Sequence, residues 1–428
     1  MAENTEIVRI DSLVHGGQGL ATRADGQKVF VWNALPGERV RIRIFRKKRS
    51  YAEAIAEEII EPSKDRIPAV EQNYLATSPW QIMKYESEGE HKRTITEELF
   101  TREHVELPKT GVRLAKQPAD AAHFFHYRNK MEYSFWGNDD GLHLALHNRG
   151  SHQKSIVEGS ALALPAIDTA AHALLAELQK LNPRAGDLKT IIVRCNQTGD
   201  AVISLFTKLE KFTKIALPEG LKGLRVYHSN PKSPASVPTK LLYELGDVTL
   251  QDNLLGQNFT YDVDSFFQVN IPVFELALGR IKEFCGKTDV SDVYAGVGSI
   301  GLSVADKRVN LIELDPATAA MARLNAAASP LEVKVIEAPA EAEPGKYIAC
   351  DGDVLIFDPP RAGLHQKVIT AIEAIQPPKI MYLSCNPATQ ARDLALLQDS
   401  YTIEHLEVFN FFPRTPHIEC LAVLTRKD

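Results

Sequence analysis

The first 62 residues alternate between apolar and polar positions in short runs. Residues 6–14 (EIVRIDSLV) and 39–45 (RVRIRIF) follow the two-residue period of half-buried strands. Turn signals separate the runs, at Gly16-Gly17-Gln18-Gly19, Asp25-Gly26 and Leu35-Pro36-Gly37-Glu38. Short strands joined by tight turns predict a small, OB-like antiparallel barrel over residues 1–62, a kind of domain that often carries oligonucleotides on one face.

The pattern changes after Pro62-Ser63. Residues 69–85 show no clear period, whereas residues 86–104 are polar and compatible with a helix. Residues 161–181 have the spacing of an amphipathic helix, and strands are predicted at 127–136, 190–195 and 201–208. These elements predict a mixed α+β central domain over residues 63–255.

Residues 256–428 alternate between short apolar strands and helices. Strands are predicted at 289–294, 310–314, 354–357 and 380–384, with a helix that ends near residue 328. Buried strands separated by helices are typical of a parallel, doubly wound sheet. The fold class predicted for this part is therefore α/β and Rossmann-like.

Composition agrees with a globular protein of several domains. The chain has 428 residues, of which 44% are hydrophobic and 24% are charged. No apolar run approaches the roughly 18 residues that a membrane helix needs. The start, Met1-Ala2-Glu3-Asn4, is polar and acidic and lacks the pattern of a signal peptide. We therefore expect a cytoplasmic protein with no membrane partner.

Charge is unevenly distributed along the chain. The net charge of −6 argues against indiscriminate binding to nucleic acid, yet residues 39–49 carry seven Arg or Lys in eleven positions. Such a run can supply phosphate contacts on an acidic protein. The competing interpretation is a solvated strand edge and turn.

The five cysteines, at 195, 285, 350, 385 and 420, are isolated and include no C-x-x-C pair. This spacing argues against a zinc site or a disulfide framework, and a buried small side chain is the ordinary role of such a residue. Cys385 differs because Ser384-Cys385-Asn386-Pro387 follows an apolar strand. A thiol at the carboxyl end of a strand lies where α/β sheets bind substrates, and a thiolate is a potent nucleophile.

Three other strand ends carry residues suited to ligand binding. Gly296-x-Gly298-x-x-Gly301 follows the first strand, Glu313 ends the next, and Asp358-Pro359-Pro360 ends a later one. Glycines permit a tight turn close to a ligand, and a carboxylate can accept hydrogen bonds from ribose hydroxyls. The glycine motif alone would suit a dinucleotide, a methyl donor or a structural turn. Three such ends together predict a cofactor site.

Taken together, the motifs resemble those of the RNA uracil-5-methyltransferases, bacterial enzymes that modify ribosomal or transfer RNA. Residues 5–62 are similar to the TRAM domain, an RNA-binding barrel. The other matching segments are Tyr127-Arg128-Asn129-Lys130, Arg149-Gly150-Ser151-His152, residues 266–270, 292–298 and 357–363, Ser384-Cys385-Asn386-Pro387, and His417-Ile418-Glu419. The resemblance covers nearly the whole chain and its motifs are specific.

The resemblance implies a role for individual residues. Cys385 would add to carbon 6 of uracil, and Glu419 would remove the proton from carbon 5. Contacts to S-adenosylmethionine would come from Gln268, Tyr294, Gly296, Gly298, Ser299, Glu313 and Asp358. The flipped base could stack on one of Phe266, Phe267, Phe411 and Phe412, although core packing is the more common role of a phenylalanine. RNA would be the partner of a monomeric enzyme.

This sequence departs from the family pattern at two places. Many relatives hold an iron–sulfur cluster on four cysteines, and the aligned positions here are Ala69, Leu75, Ser78 and Ser160. None of these side chains can ligate iron, so we expect neither a cluster nor a metal site, and residues 69–85 would be a remodelled cluster loop. The second departure is Ala338-Pro339, where relatives often place a polar residue near the adenine.

Several functions remain as alternatives. The barrel favours 23S ribosomal RNA as the substrate, and transfer RNA is the alternative. A cytosine-5 methyltransferase would carry a second cysteine in the Asp358 motif, and an amino-group methyltransferase would carry an aromatic residue where Arg361 stands. A non-catalytic RNA-binding or ribosome-assembly factor would have no use for Cys385 and Glu419. An NAD oxidoreductase would need a hydride-transfer site, and none is visible.

Overall fold

The computed structural model describes residues 5–116, 121–149, 153–233, 235–342, 344–345 and 354–428. Gly150, Ser151 and His152 of one matching motif, and Cys350, lie outside the described residues. Within the described part of the chain, no helix has the length and apolar character needed to cross a membrane.

The N-terminal strands form a closed barrel, as predicted. They are β1 (Thr5–Leu13), β2 (Gly19–Thr22), β3 (Lys28–Trp32), β4 (Arg39–Lys47) and β5 (Tyr51–Glu61). Their order is β1-β2-β3-β5-β4, and β1 pairs with β4 to close the sheet. Alternation places Val40 and Ile42 inside and Arg39 and Arg41 outside. One detail differs from the expected antiparallel barrel, because β3 and β5 pair in parallel.

The basic run on β4 is largely neutralised by the neighbouring strand. Four arginines form cross-strand ion pairs with glutamates of β5, namely Arg39–Glu61, Arg41–Glu58, Arg43–Glu57 and Arg46–Glu53. Opposite charges on paired strands cancel the local field. The arginines of this run therefore give a weaker phosphate-binding surface than the sequence suggests. The exposed Lys47, Lys48 and Arg49 continue the basic run at the hairpin tip.

A connecting segment leads from the barrel to the second domain. Its elements are α1 (Tyr74–Thr77), α2 (Tyr85–Arg102), β6 (Arg113–Leu114) and α3 (Ala121–Phe124). The irregular stretch before α2 is held by Glu71, whose Oε1 accepts hydrogen bonds from Ser78 Oγ (3.1 Å) and Gln81 Nε2 (2.9 Å). Its Oε2 accepts from the backbone of Ala161 at 2.8 Å. Glu71 thus links Ser78 to Ala161, the neighbour of Ser160. Ser78 and Ser160 are two of the positions that the resemblance assigns to cluster ligands.

The central domain is a mixed sheet covered by a long helix. Its elements are β7 (Lys130–Asn138), β8 (Gly141–His147), β9 (Lys154–Ile156), α4 (Pro165–Leu181), a 3₁₀ turn (Ala185–Asp187), β10 (Leu188–Cys195), β11 (Ala201–Thr207), β12 (Leu221–His228) and β13 (Lys240–Gly246). Among the described residues the strand order is β13-β12-β11-β10-β7-β8-β9. The apolar face of α4, including Leu174 and Leu178, packs on this sheet.

The C-terminal domain is the Rossmann-like part. Its elements are β14 (Thr249–Leu254), β15 (Gln257–Asp262), α5 (Ile271–Cys285), β16 (Val290–Val293), α6 (Ser299–Val304), β17 (Arg308–Glu313), α7 (Pro316–Ala328), β18 (Glu332–Glu337), β19 (Val354–Phe357), α8 (Gln366–Ile375), β20 (Lys379–Ser384), α9 (Pro387–Leu397), β21 (Tyr401–Phe409) and β22 (Glu419–Arg426). Strands β14 and β15 form a separate two-stranded sheet, and the other described strands follow the order β18-β17-β16-β19-β20-β22-β21-β6. The sheet is parallel from β18 to β20, whereas β22 is antiparallel to both of its neighbours. The expected parallel sheet therefore ends in a mixed edge.

The connecting segment packs differently from the predicted division of the chain. Strand β6 pairs with β21, and Ile95, Leu99 and Phe100 of α2 belong to the same apolar core as the C-terminal sheet. Residues 85–114, like strand β14, therefore extend the C-terminal domain, although both fall in the central domain predicted over residues 63–255. The sequence could not reveal this because α2 carries many charged residues and a weak apolar stripe.

Candidate active site

A cleft of about 1090 Å³ opens at the carboxyl edge of the C-terminal sheet. Strand β16 lies between β17 and β19. The chain adds β17 and β18 on one side of β16 and then returns to add β19 and β20 on the other side. Such a switch point leaves a crevice because the flanking helices lie on opposite faces. Six predicted site residues line the cleft, namely Gln268, Tyr294, Glu313, Asp358, Cys385 and Glu419.

Strand register brings Cys385 and Glu419 together. Strands β20 and β22 are antiparallel, and Ser384 pairs with Cys420 at the end of the ladder. Continuing this register by one residue places Cys385 opposite Glu419. The start of β22 and the end of β20 thus bring a thiol and a carboxylate, 34 residues apart in the sequence, to one edge of the sheet.

Cys385 is the half-buried cysteine of the described set, since Cys195, Cys285 and Cys420 are fully buried. Burial, followed by the negative charges of Glu419 and Asp358, raises the pKa of Cys385 to about 12. A hydrogen bond and the positive charge of Arg361 act in the opposite direction. In the ligand-free protein the thiol is therefore protonated, and Arg361 is the group that stabilises the thiolate.

Glu419 is a buried carboxyl group with an unused acceptor. Its side chain is 1% exposed, and Oε1 has no hydrogen-bond partner within the described part of the chain. Burial and the nearby Asp358 raise the pKa of Glu419 well above its ordinary value, while Arg361 opposes this shift. A carboxylate destabilised in this way is a stronger base than a solvated one.

Asp358 follows β19 and lies close to Gln268. The Gln268 side chain donates a hydrogen bond from Nε2 to Asp358 Oδ2 at 3.3 Å. Burial raises the pKa of Asp358 to about 7, and the hydrogen bond from Gln268 partly offsets this shift. Gln268 is itself fixed from the central domain, because Asn129 Nδ2 donates to the Gln268 carbonyl at 2.9 Å.

The glycine turn at residues 296–301 follows strand β16 at the carboxyl edge of the sheet. Gly298 has φ +86°, and a Cβ there would lie 2.8 Å from Leu311 Cδ1, so only glycine fits. The turn is fastened where Asp292 Oδ2 accepts a hydrogen bond from the Gly301 backbone at 2.8 Å. Gly296, Gly298 and Ser299 do not line the cleft in the part of the chain that the structure describes. Their predicted cofactor contacts stay a prediction.

Glu313 lies at the end of β17, beside exposed apolar side chains that line the cleft. The carboxylate accepts hydrogen bonds from the backbones of Gly296 (2.9 Å) and Asp315 (2.8 Å), which fix its position at the end of β17. Phe266 and Leu314 line the same cleft and are 60% and 62% exposed. A carboxylate beside exposed apolar side chains suits a ribose and a flat base.

The segment 410–418, which leads into Glu419, is held by buried charges on α2. Glu88 accepts hydrogen bonds from Asn410 Nδ2 (2.9 Å) and from the backbone of Arg414 (3.0 Å). Lys92 pairs with Glu88 at 3.0 Å and donates to the Phe412 carbonyl at 3.0 Å. These positioning residues were not predicted from the sequence, although a Glu and a Lys four positions apart on a helix are the spacing of an ion pair.

Arg361, His417 and the four phenylalanines named from the sequence lie at different depths around the cleft. Arg361 follows the double proline and acts on both Cys385 and Glu419, as described above. The pKa of His417 is lowered to about 3 by burial and then by the positive charges of Arg361 and Arg128, so its ring is neutral. Phe266 and Phe412 line the cleft, whereas Phe267 and Phe411 are buried in the core.

Two family models and several curated relatives match this chain. The family model described as tRNA (Uracil-5-)-methyltransferase matches residues 346–427, and the TRAM domain model matches residues 4–56. An uncharacterized RNA methyltransferase of Clostridium tetani is 30% identical, and the alignment covers 98% of this chain and 97% of that protein. Another, from Lactobacillus johnsonii, is also 30% identical, with 98% of each chain covered.

A solved structure shares the fold over the whole length. The crystal structure of Pyrococcus abyssi tRNA (uracil-54, C5)-methyltransferase in complex with S-adenosyl-L-homocysteine aligns with a TM-score of 0.75. Sequence identity is 21%, and the alignment covers 98% of this chain and 100% of that chain. The Rossmann-like fold and the added barrel are therefore shared.

Proposed function

Because the chain belongs to the RNA uracil-5-methyltransferase family, we propose that it transfers a methyl group from S-adenosylmethionine to carbon 5 of a uridine in RNA. The observation that carries this proposal is the pairing of Cys385 with Glu419 in a cleft that has a nucleoside-like lining. The barrel model match at residues 4–56 supports RNA as the partner. We further propose a cytoplasmic, monomeric enzyme.

The residues of the cleft fit the methyl donor. Glu313 would accept hydrogen bonds from the ribose hydroxyls, and Phe266 and Leu314 would flank the adenine. Asp358 and Gln268 would hold the polar part of the molecule. S-adenosylmethionine supplies an electrophilic methyl group on a positively charged sulfur.

The chain supplies the chemistry that uracil needs. Carbon 5 of uracil is a weak nucleophile, so the Cys385 thiolate first adds to carbon 6 and forms an enolate. Carbon 5 of the enolate would then attack the methyl carbon of S-adenosylmethionine, whose sulfur–methyl bond would break, and S-adenosylhomocysteine would leave. Glu419 removes the remaining proton from carbon 5, the carbon 6–sulfur bond breaks, and the thiolate leaves. The uridine must leave its stack to reach both groups, so base flipping is expected.

Burial and nearby charges set the pKa values of Cys385 and Glu419. Burial raises the pKa of both Cys385 and Glu419, which makes their deprotonated forms more reactive. Arg361 opposes both shifts and so favours both anions. Because the pKa of Cys385 is raised, the rate should increase with pH as the thiolate forms.

We propose 23S ribosomal RNA as the substrate because the N-terminal barrel favours it. Transfer RNA is the competing substrate, since the P. abyssi enzyme of the same fold acts on tRNA. Mapping 5-methyluridine in both RNA classes, from cells with and without the gene, tests the choice. Loss of a methylated uridine from 23S RNA is expected, and a loss confined to transfer RNA would overturn the ribosomal assignment.

Replacement of the thiol tests the mechanism itself. Cys385→Ala should abolish transfer of tritiated methyl groups to RNA, while binding of RNA and S-adenosylhomocysteine persists. The matched control is Cys285→Ala, which removes a thiol that is buried in the core of the same domain. Methylation by Cys385→Ala at the wild-type rate would refute nucleophilic catalysis by this residue.

Replacement of the carboxylate gives a second, different outcome. Glu419→Gln should still form the bond between Cys385 and carbon 6, but elimination lacks its base. A covalent protein–RNA adduct should then accumulate and migrate slowly on a denaturing gel. If the variant turns over normally and leaves no adduct, Glu419 is not the base.

A further inference from the structure

A second groove lies between the barrel and the central sheet. Its volume is about 660 Å³, and residues from three parts of the chain line it. The barrel contributes Phe45 and Ile55, the connecting segment contributes residues near Leu75, and the end of β8 contributes Asn148 and Arg149. Apolar side chains beside amides suit a nucleobase, which has a flat face and a hydrogen-bonding edge.

The walls of this groove are fixed in the ligand-free protein. Tyr74 donates a hydrogen bond from its hydroxyl to Asn33 Oδ1 at 2.7 Å, which joins the connecting segment to the barrel. Asn73 Nδ2 donates to the Ile156 carbonyl at 3.3 Å, which joins the same segment to the central sheet. A groove whose sides are already linked loses little entropy when a ligand binds.

Arg149 is the unusual residue of the groove. Its guanidinium carbon lies 4.9 Å from the centroid of the Trp32 ring, and Nε is buried without a hydrogen-bond partner in the described structure. Burial lowers the pKa of Arg149, and no acidic side chain among the described residues offsets this shift. A desolvated cation without a counter-ion attracts an anion, and a guanidinium suits the geometry of phosphate.

The neighbouring arginines of the barrel differ from Arg149. Arg41 and Arg43 are exposed and paired with Glu58 and Glu57. Their charges are already compensated, so they gain little from a phosphate. Binding of an anion should therefore be more favourable at Arg149 than at Arg41 or Arg43.

The groove lies close to the segment that leads into Glu419. The positive charge of Arg149 is among those that lower the pKa of His417, which lies two residues before Glu419. Gly17 of the barrel also approaches this segment, because a Cβ there would lie 2.4 Å from Pro416 Cβ. An RNA strand that places a uridine beside Glu419 would therefore pass close to Arg149.

We propose that Arg149, stacked on Trp32, binds a phosphate of the single-stranded RNA beside the target uridine, and that the groove takes an adjoining nucleotide. This inference rests on the proposed function, because it assumes that the uridine enters the cleft. The barrel then contributes to catalysis by fixing the distance between the backbone and the reacting base. Phosphate contacts of this kind set register without reading sequence.

Binding of a short fluorescein-labelled oligouridylate to the full-length protein tests the site. Arg149→Gln should weaken binding about tenfold, the effect of losing one charge-assisted hydrogen-bonded contact. The slope of log affinity against log salt should fall by about 0.7, as expected for one phosphate contact to a single strand. Arg149→Lys keeps the charge but not the planar fork, so it should retain the slope and lose part of the affinity.

The matched control is Arg41→Gln, which removes the same charge from an ion-paired position. It should leave both affinity and salt slope close to those of the wild type. Unchanged binding of S-adenosylhomocysteine by Arg149→Gln verifies folding of the catalytic domain. An Arg149→Gln variant with the wild-type salt slope would overturn the inference, whereas methylation by Cys385→Ala would overturn the proposed function alone.

Discussion

Two groups of buried charges lie on either side of the segment 410–418, and they differ in how their charges are satisfied. Behind the segment, Glu88 and Lys92 are paired with each other and hydrogen-bonded to the backbone of the segment. In front of it, Glu419 has one oxygen without a hydrogen-bond partner in the described part of the chain, and burial raises the pKa values of Cys385 and Asp358. The first group holds the segment in place, and the second is left reactive.

This difference shows how one fold separates support from chemistry. A buried charge with all its partners contributes order, because any movement would leave it unpaired. A buried acid without partners lowers stability but gains reactivity toward a ligand that supplies the missing contacts. The pairing of Glu88 with Lys92 must stabilise the fold strongly, because the buried acids of the cleft lower its stability.

Removal of the supporting lysine should give the largest effect on stability. Lys92→Met leaves Glu88 buried without its cation, so the free energy of unfolding should fall by roughly 3–5 kcal/mol in urea denaturation. The matched control is Arg93→Gln on the same helix, which breaks an exposed pair with Glu97 and should change stability by about 0.5 kcal/mol or less. Equal effects of the two substitutions would show that the buried pair gives no special support.

Glu71 extends the comparison to a carboxylate outside the cleft. Glu71→Ala removes the acceptor for Ser78, Gln81 and the backbone of Ala161, and should lower the free energy of unfolding by about 2 kcal/mol. Glu58→Ala on the barrel serves as the exposed control. A change in urea denaturation no larger than that of the control would mean that other contacts hold residues 69–85.

Glu419→Gln should have the smallest effect on stability and the opposite sign. The folded-state pKa of Glu419 is raised, so its penalty is absent below the unfolded pKa of about 4.3 and grows as the pH rises. In thermal or urea unfolding, the ligand-free variant should therefore be more stable than the wild type above about pH 4.3, by a margin that grows with pH, and should show no gain below that pH.

Glu407 provides a control of opposite sign for this prediction. Burial alone would raise its pKa, but hydrogen bonds from His405 and Arg280 outweigh this effect and hold the pKa below its ordinary value. Relative to the wild type, Glu407→Gln should therefore lose stability as the pH rises from the lowered folded pKa to the unfolded pKa of about 4.3, and the loss should stay constant above it. If both variants respond to pH in the same way, the contrast between satisfied and unsatisfied carboxylates is wrong.

Much of the fold was predictable because its patterns are local. Strand β19 and the end of α7 match their predicted bounds, since apolar runs bounded by breakers identify short buried strands and helices. The assignment of residues 85–114 was not predictable, because strand β6 pairs with a strand almost 300 residues later. The ion pairs that neutralise β4 were also hidden, since pairing partners depend on register.

The sequence by itself determined the residue types of the site, its family resemblance and the strand ends that carry Glu313, Asp358 and Cys385. These are properties of short segments, and short segments encode strands, turns and side-chain chemistry. Only the tertiary structure decided that Cys385 faces Glu419, that Arg361 acts on both, and that Arg149 has no counter-ion among the described residues. Burial and charge pairing depend on which distant segments pack together, so no local pattern can specify them.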